Sequence, residues 1–441
     1  MVRKGLPVER RSGYPPVVTF YLKESPPAAT RQSVVRPVRH ATMLEVNEFL
    51  VLDYVRDHDP TSRTDIARDL GLSAASVGRI VGRLRQDGLV ADVGASRSNR
   101  GRPRAMISYR RDAGSVIAVD LGGTRCHSAL ADLSGAVLAD DVRLTHSTGD
   151  AFTTLLEAIG LMLREAGHRG VPVVALAVGV PGILDPQDGV ARDAPYLVWD
   201  GFPVVDRLAA AVEIPFVVDN DVNLAALAHA WRGDGRRIDH FVTLSVGTGT
   251  GAAIVSDGRL LQGRHNAAGE VGYLVVRREL LGRPITAGLG AFEAFASGPG
   301  VATRARALVS DGTRSSLSDV EITPEAVLAA AVAGDPVGRA VINELLDDLA
   351  MAIVAIASTV DPELVILEGG VGRSLGPFLD DLVAHIAPSL PAPPRIVTST
   401  LGSDATVIGA IAAALELARR RTAPAAVLGA FAMSGVAGHA S

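Results

Sequence analysis

Turn residues divide the front of the chain into three short segments whose apolar side chains have helical spacing. Over residues 44–57 the apolar positions recur with a mixed but helical period. Ser62 is a candidate N-cap for a second helix that ends at Gly71, and Ser73 begins a third helix that stops at Gly88. Each of the last two helices is predicted to bury one apolar face.

A β-hairpin is predicted directly after the third helix. Leu89 and Val90 open one strand, and a second strand is expected at 105–109. Two short helices with a glycine turn, followed by such a hairpin, are typical of a helix-turn-helix with a wing. We therefore predict a winged helix-turn-helix domain over residues 41–112.

After Ser115 the pattern changes to buried strands that alternate with glycine turns and helices. Residues 116–144 consist of a strand, a glycine turn, a second strand, a turn at Ser134-Gly135 and a third strand. Residues 241–263 repeat the order of strand, glycine turn and strand. Hairpins that alternate with helices indicate an α/β body, and their repetition predicts an internally duplicated fold of two lobes around a cleft. The first lobe is expected at 115–231, closed by a C-terminal helix at 405–420, and the second at 232–404.

Composition fits this division. At 441 residues, with 48% hydrophobic and 21% charged residues, the chain is long enough for two or three globular domains. Residues 1–40 have no helical period and are expected to be a disordered leader, and 421–441 a flexible tail. Cys126 is the only cysteine, which excludes an intramolecular disulfide and a cysteine-based zinc site. Without a long apolar span or signal peptide, a cytoplasmic protein with no membrane partner is expected.

Charge is distributed unevenly along the chain. Residues 1–112 contain 20 basic and 12 acidic residues, a net charge of +8, whereas the chain as a whole has a net charge of −5. A basic front on an acidic body predicts that only the winged-helix domain meets a polyanion.

The residues expected to contact double-stranded DNA lie on the third helix and the wing. The start of the third helix would face base edges, and the arginines further along it would contact phosphates. The glycine and proline in "RGRPR" keep the wing arginines extended, which suits a narrow minor groove, although a solvated basic loop is the alternative. The predicted contacts are Ser73, Ala74, Ser76, Arg79, Arg83, Arg100, Arg102 and Arg104.

Three glycine-rich turns follow apolar strands in the body. They are the first glycine turn (120–124, "DLGGT"), the second glycine turn (247–251, "GTGTG") and the third glycine turn (368–372, "EGGVG"). Backbone amides without side-chain bulk can approach phosphate closely. A single glycine turn is common as a purely structural connection between strands. Three of them at strand ends in one body indicate a phosphate-bearing ligand.

Carboxylates and a carboxamide are predicted to meet in the same cleft. Asp221 follows Asn220 between a strand and a helix, where a carboxylate can take a proton from an attacking hydroxyl, or can instead cap the helix. Glu270 and Glu293 add two acceptors. Such a set suits a polyhydroxylated ligand, because each buried hydroxyl needs a partner.

Seven stretches of the body resemble the ROK family of sugar kinases and sugar-responsive repressors. They are "VDLGGT", "GVPGILD", "VDNDVNLAAL", "VGTGTGAAIV", "AAGEVGY", "EAFASGPG" and "VILEGGVG". The winged helix in front makes the chain similar to the repressor branch, which includes xylose and N-acetylglucosamine regulators. The resemblance implies an α/β actin-like ATPase fold, related to ribonuclease H, in the two-lobed body.

The resemblance also implies roles for individual residues. Asp221 matches the catalytic base, and the sugar contacts would be Asn220, Asp221, Glu270, Tyr273 and Glu293. The nucleotide contacts would be Asp120, Gly122, Gly123, Thr124, Gly247, Thr248, Gly249, Gly369 and Gly370.

Two departures from the family pattern concern metal and specificity. Tyr273 replaces a histidine, and Pro284, Thr286 and Ala291 replace three cysteines that bind structural zinc in the family. We therefore predict no zinc. Tyr196 replaces an asparagine of many relatives, which is expected to change the sugar that fits.

Two functions follow from these expectations. The first is a sugar-responsive DNA-binding regulator, a repressor of carbohydrate genes that needs no cofactor and acts as a homodimer or homotetramer. Its effector would be a sugar or a sugar phosphate. The alternative is an ATP-dependent sugar kinase, using ATP with Mg²⁺, that carries a DNA-binding domain.

Overall fold

The computed structural model of the protein describes residues 40–95, 104–147, 149–282 and 289–422. The predicted leader lies outside these residues except for His40, which already belongs to the first helix. Arg421 and Thr422 were expected in the flexible tail, but they belong to the last helix because its hydrogen-bonded turns continue past residue 420. The rest of the tail lies outside the described residues.

The N-terminal unit has the predicted winged-helix architecture. Its elements are α1 (His40–Asp57), β1 (Thr61–Ser62), α2 (Arg63–Leu70), α3 (Ala74–Gln86), β2 (Val90–Ala95) and β3 (Ala105–Tyr109). The strands form one sheet in the order β1-β3-β2. Buried Val77, Ile80, Val81 and Leu84 of α3 contribute to the core of this unit, as their spacing predicts. Arg100 and Arg102 of the wing lie outside the described residues.

Local capping fixes the ends of α2 and α3. The Ser62 hydroxyl accepts a hydrogen bond from the Asp65 amide at 3.2 Å, and the Ser73 hydroxyl accepts one from the Ser76 amide at 3.1 Å. Gly71 follows α2 with φ of 65°, a left-handed conformation that glycine adopts without a steric penalty. The turn between the two helices is therefore specified by short-range chemistry.

The first lobe is a five-stranded sheet with helices packed against it. Its elements are β4 (Ser115–Leu121), β5 (Arg125–Asp132), β6 (Val137–Leu144), α4 (Ala151–Arg169), β7 (Val173–Val180), β8 (Ile183–Leu184), β9 (Ala191–Arg192), α5 (Val204–Ala211), β10 (Phe216–Asn220) and α6 (Asp221–Arg232). The strand order is β10-β7-β4-β5-β6, while β8 and β9 form a separate ribbon. Strands β4 and β7 are almost entirely buried, as their runs of Val, Ile, Leu and Ala require.

The second lobe repeats the plan of the first. Its elements are β11 (Phe241–Val246), β12 (Thr250–Ser256), β13 (Arg259–Leu260), α7 (Glu293–Ala296), α8 (Gly298–Ser310), α9 (Pro324–Val332), α10 (Pro336–Val360), β14 (Leu364–Glu368), α11 (Gly369–Ser374), α12 (Leu379–Ile386) and β15 (Arg395–Thr398). The strand order is β15-β14-β11-β12-β13. Each lobe thus has an antiparallel hairpin followed by two parallel strands, which confirms the predicted duplication.

The last helix, α13 (Ala405–Thr422), returns to the first lobe after the second is complete. It packs against α6, β4 and β7 through a stripe of small buried residues that includes Ala410, Ala413 and Ala414. A Cβ atom at Gly409 would overlap the backbone carbonyl of Leu224 in α6. Glycine at this position therefore lets the two helix backbones come into direct contact.

Among the described residues, none of the helices combines the length and the apolar character needed to cross a membrane.

Replacing Gly409 by alanine should lower the free energy of unfolding by about 2 kcal/mol or more, because the new methyl group meets backbone that cannot rotate away. Urea unfolding of the full chain measures this change. Gly167→Ala in α4 is the matched control, since a Cβ there has no neighbour within 4 Å. It should raise stability by about 0.5–1 kcal/mol through helix propensity. Equal effects of the two substitutions would contradict the close helix contact.

Candidate functional site

A cleft of about 690 Å³ lies between the two lobes and collects most of the body residues singled out in the sequence. The first, second and third glycine turns contribute to its wall, together with Asn220, Asp221, Glu270, Tyr273 and Glu293. Three arginines also line it, Arg125, Arg306 and Arg373. The cleft thus combines backbone amides and cations with carboxylates, the features needed to hold a ligand with both phosphate and hydroxyl groups.

The first two glycine turns face each other across the cleft. Each connects the strands of an antiparallel hairpin, β4–β5 in the first lobe and β11–β12 in the second. The hydroxyl oxygens of Thr124 and Thr248 are 3.4 Å apart. The Thr145 hydroxyl donates to the Gly122 carbonyl at 2.6 Å and thereby fixes the first turn. The duplicated fold therefore places two equivalent turns on opposite sides of one space.

The third glycine turn is in fact the start of a helix. Gly369 has φ of 79° and lies against the backbone of Val246, so a side chain there would collide with β11. Glu368 caps the helix, because its carboxylate accepts a hydrogen bond from the Gly369 amide at 3.1 Å. The sequence predicted only a turn, because α11 is short and contains three glycines. Residue Gly370 lines the cleft.

Asn220, rather than Asp221, caps helix α6. Its side-chain oxygen accepts hydrogen bonds from the amides of Val222 at 2.8 Å and Asn223 at 3.2 Å. Its side-chain nitrogen donates to the Gly182 carbonyl at 3.0 Å, so both ends of the carboxamide are engaged within the protein. Capping by Asn220 leaves Asp221 on the first turn of the helix, at the wall of the cleft.

Carboxyl groups in the cleft have raised pKa values. Burial raises the pKa of Asp221 to about 6. Burial and the charge of Asp221 raise that of Asp120 to about 8. Burial and neighbouring carboxylates raise the pKa of Glu270 to about 7, and burial raises that of Glu293. Ligand hydroxyls that donate to these oxygens would replace the water that burial removes, which suits a polyhydroxylated ligand.

The residues at the family's zinc position do not supply zinc ligands. Burial and the charges of Asp193 and Glu270 raise the pKa of the Tyr273 phenol. Ala291 has no donor atom, and Pro284 and Thr286 lie outside the described residues. In the described part of the chain, no group of three or more His, Cys, Asp or Glu side chains could hold a metal ion. This set of side chains lacks the three thiolates and the imidazole that bind the structural zinc of the family.

Tyr196 lies closer to the glycine turns than its sequence position suggests. It belongs to a 3₁₀ turn, Pro195–Leu197, and lines the cleft beside Gly123. Its hydroxyl oxygen is buried, and no hydrogen bond to it is present among the described residues. Burial and Glu293 raise the pKa of this phenol to about 12. From the sequence, Tyr196 was expected only to affect which sugar fits, because nothing local in the sequence links it to residues 123 and 249.

A buried ion-pair network behind the third glycine turn was not predicted from sequence. Glu368 is buried, and its carboxylate contacts the guanidinium of Arg373 and lies 3.2 Å from Nε2 of fully buried His229 in α6. Although burial raises the pKa of Glu368, hydrogen bonds from His229, Ser399 and Arg373 lower it below its usual value. The network ties α11 to α6 and orients Arg373 at the cleft.

The winged-helix domain presents the start of α3 to solvent. Ser73, Ala74 and Arg79 are exposed, and Arg79 has no ion pair with any residue that the structure describes. Ser76 is half-buried, and its hydroxyl accepts a hydrogen bond from the Ser73 hydroxyl at 2.9 Å.

Two other arginines that were predicted to contact DNA form ion pairs within the winged-helix domain. Arg83 contacts Glu48 at 2.9 Å, and Arg104 lies 3.4 Å from Asp65. Both remain half-exposed, so both guanidinium groups are accessible at the surface.

The comparisons with known proteins agree with this two-part structure. The ROK family model matches residues 116–417, and the MarR family model matches residues 44–98. The xylose repressor of Caldicellulosiruptor bescii is 28% identical over 336 residues, covering 74% of this chain and 84% of the relative.

Two solved structures resemble the protein. A ROK family transcriptional regulator, described as a homolog of the E. coli MLC protein, has a TM-score of 0.72 and 26% identity, covering 87% of this chain and 99% of that one. A ROK family glucokinase from Streptomyces griseus, in complex with glucose and AMPPNP, has a TM-score of 0.59 and 26% identity, covering 69% and 100%. The predicted actin-like body and winged helix are thereby confirmed. The chain belongs to the ROK family, which includes both sugar kinases and transcriptional regulators.

Proposed function

We propose that the protein is a sugar-responsive transcriptional repressor that binds operator DNA. One observation carries this proposal. The same chain has an exposed recognition helix, α3, and a cleft lined by acidic side chains and glycine turns. The similarity to a xylose repressor and to a ROK family regulator supports it. As a regulator of this kind the protein would act in the cytoplasm and require no cofactor.

The effector would be a sugar or a sugar phosphate. Glu270, Glu293 and Asp221 would accept hydrogen bonds from sugar hydroxyls, and Tyr273 would contact the sugar where relatives have a histidine. The three cleft arginines would accommodate the phosphate group of a sugar phosphate. Asn220 would act mainly by holding the α6 N-terminus, since its carboxamide is already engaged.

Helix α13 provides a direct physical connection between the cleft and the winged-helix domain. At its start, the Thr406 hydroxyl lies 3.4 Å from the backbone carbonyl of Asp221. About 20 Å further along, at 1.5 Å per residue, Arg419 forms an ion pair with Asp53 of α1 at 2.5 Å. The Arg419 guanidinium also lies 5.7 Å from the centre of the Phe49 ring. A shift of the lobes on ligand binding would therefore move the point at which α1 is held.

The repressor is proposed to act as a homodimer or homotetramer. Two winged helices on one DNA duplex would read half-sites about 34 Å apart, or a multiple of that distance. The sugar would change the spacing of the two winged helices by favouring one arrangement of the lobes, which requires only about 1–3 kcal/mol of differential affinity.

A sugar kinase with a DNA-binding domain is the second candidate. It is favoured by the intact first and second glycine turns and by Asp221 at the cleft wall, in the position of the catalytic base. Bound ATP with Mg²⁺ would supply the phosphoryl group, and Asp221 would accept the proton of the sugar hydroxyl. The regulator remains the primary proposal, because Tyr273 replaces a histidine of the family's sugar site.

Gel-shift titration with an operator selected from a random oligonucleotide pool tests the proposed function. Xylose, glucose, N-acetylglucosamine and their phosphates should be added singly, and at least one should change the affinity of the full chain for the operator by fivefold or more. No selective binding to any duplex, or no response to any compound in a wider sugar panel, would contradict the proposal.

Arg79→Ala should weaken operator binding by about 1–3 kcal/mol, because a base or phosphate contact is lost. Arg104→Ala should reduce the slope of log affinity against log salt by about 1, as expected for one phosphate contact. Arg164→Ala, an exposed arginine on α4, is the control for removal of one positive charge. If all three variants behave alike, the assigned DNA-binding face is wrong.

Arg419→Ala should uncouple sugar binding from DNA binding. The native ratio of operator affinities with and without sugar should fall to within about twofold of 1, because α13 no longer holds α1. The measurement is the same gel-shift titration, with sugar binding followed separately by calorimetry. Arg421→Ala, an exposed residue in the last turn of the same helix, should leave the ratio unchanged. Retention of the full response in Arg419→Ala would exclude this route of coupling.

A further inference from the structure

We infer that the Tyr196 ring occupies the position that the terminal phosphate of a nucleoside triphosphate would need. On this inference the cleft admits a nucleoside diphosphate but excludes the triphosphate. The inference deepens the proposed function and rests on it. It takes from that proposal that the cleft still binds a phosphate-bearing ligand. It explains how a kinase-like cleft can serve as a sensor without phosphoryl transfer.

The side chain of Tyr196 fills the space beside the first glycine turn. A Cβ atom added to Gly123 would lie 2.6 Å from Cβ of Tyr196 and 3.2 Å from its Cγ. The absence of a side chain at Gly123 is what would allow phosphate to reach the backbone amides there. In this protein the space left by the glycine is taken by the aromatic residue.

The ring also reaches the second glycine turn on the opposite lobe. A Cβ atom at Gly249 would lie 3.8 Å from Cε2 of Tyr196. Because Gly123 and Gly249 belong to turns that face each other, one side chain spans the space between them. A phosphoryl group in transit from nucleotide to sugar would have to occupy this same space, since it must contact both turns and approach Asp221.

A carboxylate adds to the obstruction on the second lobe. Glu293 Oε1 accepts a hydrogen bond from the Thr250 amide at 3.0 Å and would lie 2.6 Å from a Cβ atom at Gly249. This acceptor therefore takes up an amide of the second hairpin that would otherwise be available to a phosphate group.

The backbone around Tyr196 is held firmly on the first lobe. The amides of Leu197 and Trp199 both donate to the Ala194 carbonyl at 3.1 Å, and Leu197 and Trp199 are buried in the lobe core. Nε2 of His146 lies 3.1 Å from the Tyr196 carbonyl oxygen. With the backbone fixed in this way, the ring can leave the space between the turns only by rotation of its side chain or by opening of the lobes.

Nucleotide binding to the full-length protein tests this inference. Isothermal titration with Mg²⁺ compares ADP with the non-hydrolysable triphosphate AMPPNP in the native protein, Tyr196→Ala, Tyr196→Asn and Tyr196→Phe. The native protein should bind ADP at least as tightly as AMPPNP. Tyr196→Ala and Tyr196→Asn should gain at least tenfold in AMPPNP affinity while ADP affinity stays within about twofold. Tyr196→Phe keeps the ring and should behave like the native protein.

Three results would overturn the inference. They are a native preference for AMPPNP, an unchanged ratio of the two affinities in both small-residue variants, and absence of binding by either nucleotide. Urea unfolding of each variant reports whether its body is folded. Two small-residue variants are used so that the test still stands if one of them does not fold. Failure of the repressor proposal is a separate result, because it would appear as no sugar effect on operator binding by the native protein.

Discussion

The backbone contact between α13 and α6 at Gly409 is the constraint on which the rest of the structure depends. The C-terminal helix closes the first lobe only because glycine allows it to lie directly on the Leu224 carbonyl. This contact places Thr406 beside the backbone of Asp221 and brings Arg419 to Asp53 at the other end of the same helix. The close packing at Gly409 thus fixes α13, and α13 contacts the cleft at one end and the winged-helix domain at the other.

Local signals in the sequence predicted much of the fold. Ser62, Gly71 and Ser73 act through neighbours within a few residues, so the ends of α2 and α3 could be predicted. The repeated hairpins revealed the duplication, because a glycine turn between two apolar strands is a local pattern. The convergence of Asp221, Glu270 and Glu293 on one cleft was predicted as well, but the roles of the individual site residues remain proposals.

What the sequence did not predict depends on contacts between distant residues. The network of His229, Glu368 and Arg373 joins segments more than 130 residues apart, and no spacing along the chain indicates it. The same holds for Tyr196 beside Gly249, and for the ion pair of Asp53 with Arg419. Capping by Asn220 instead of Asp221 is a subtler difference, because either side chain can accept a bond from the first amides of a helix.

The ion pair between α1 and α13 joins the first and the last helix of the residues that the structure describes. During synthesis the winged-helix domain leaves the ribosome long before α13 does, and domains generally fold as units from the N-terminus. A nascent or prematurely terminated chain would therefore carry a folded winged helix with no helix to restrain it. Control of DNA binding by the body would begin only after α13 has been synthesised and has packed on the first lobe.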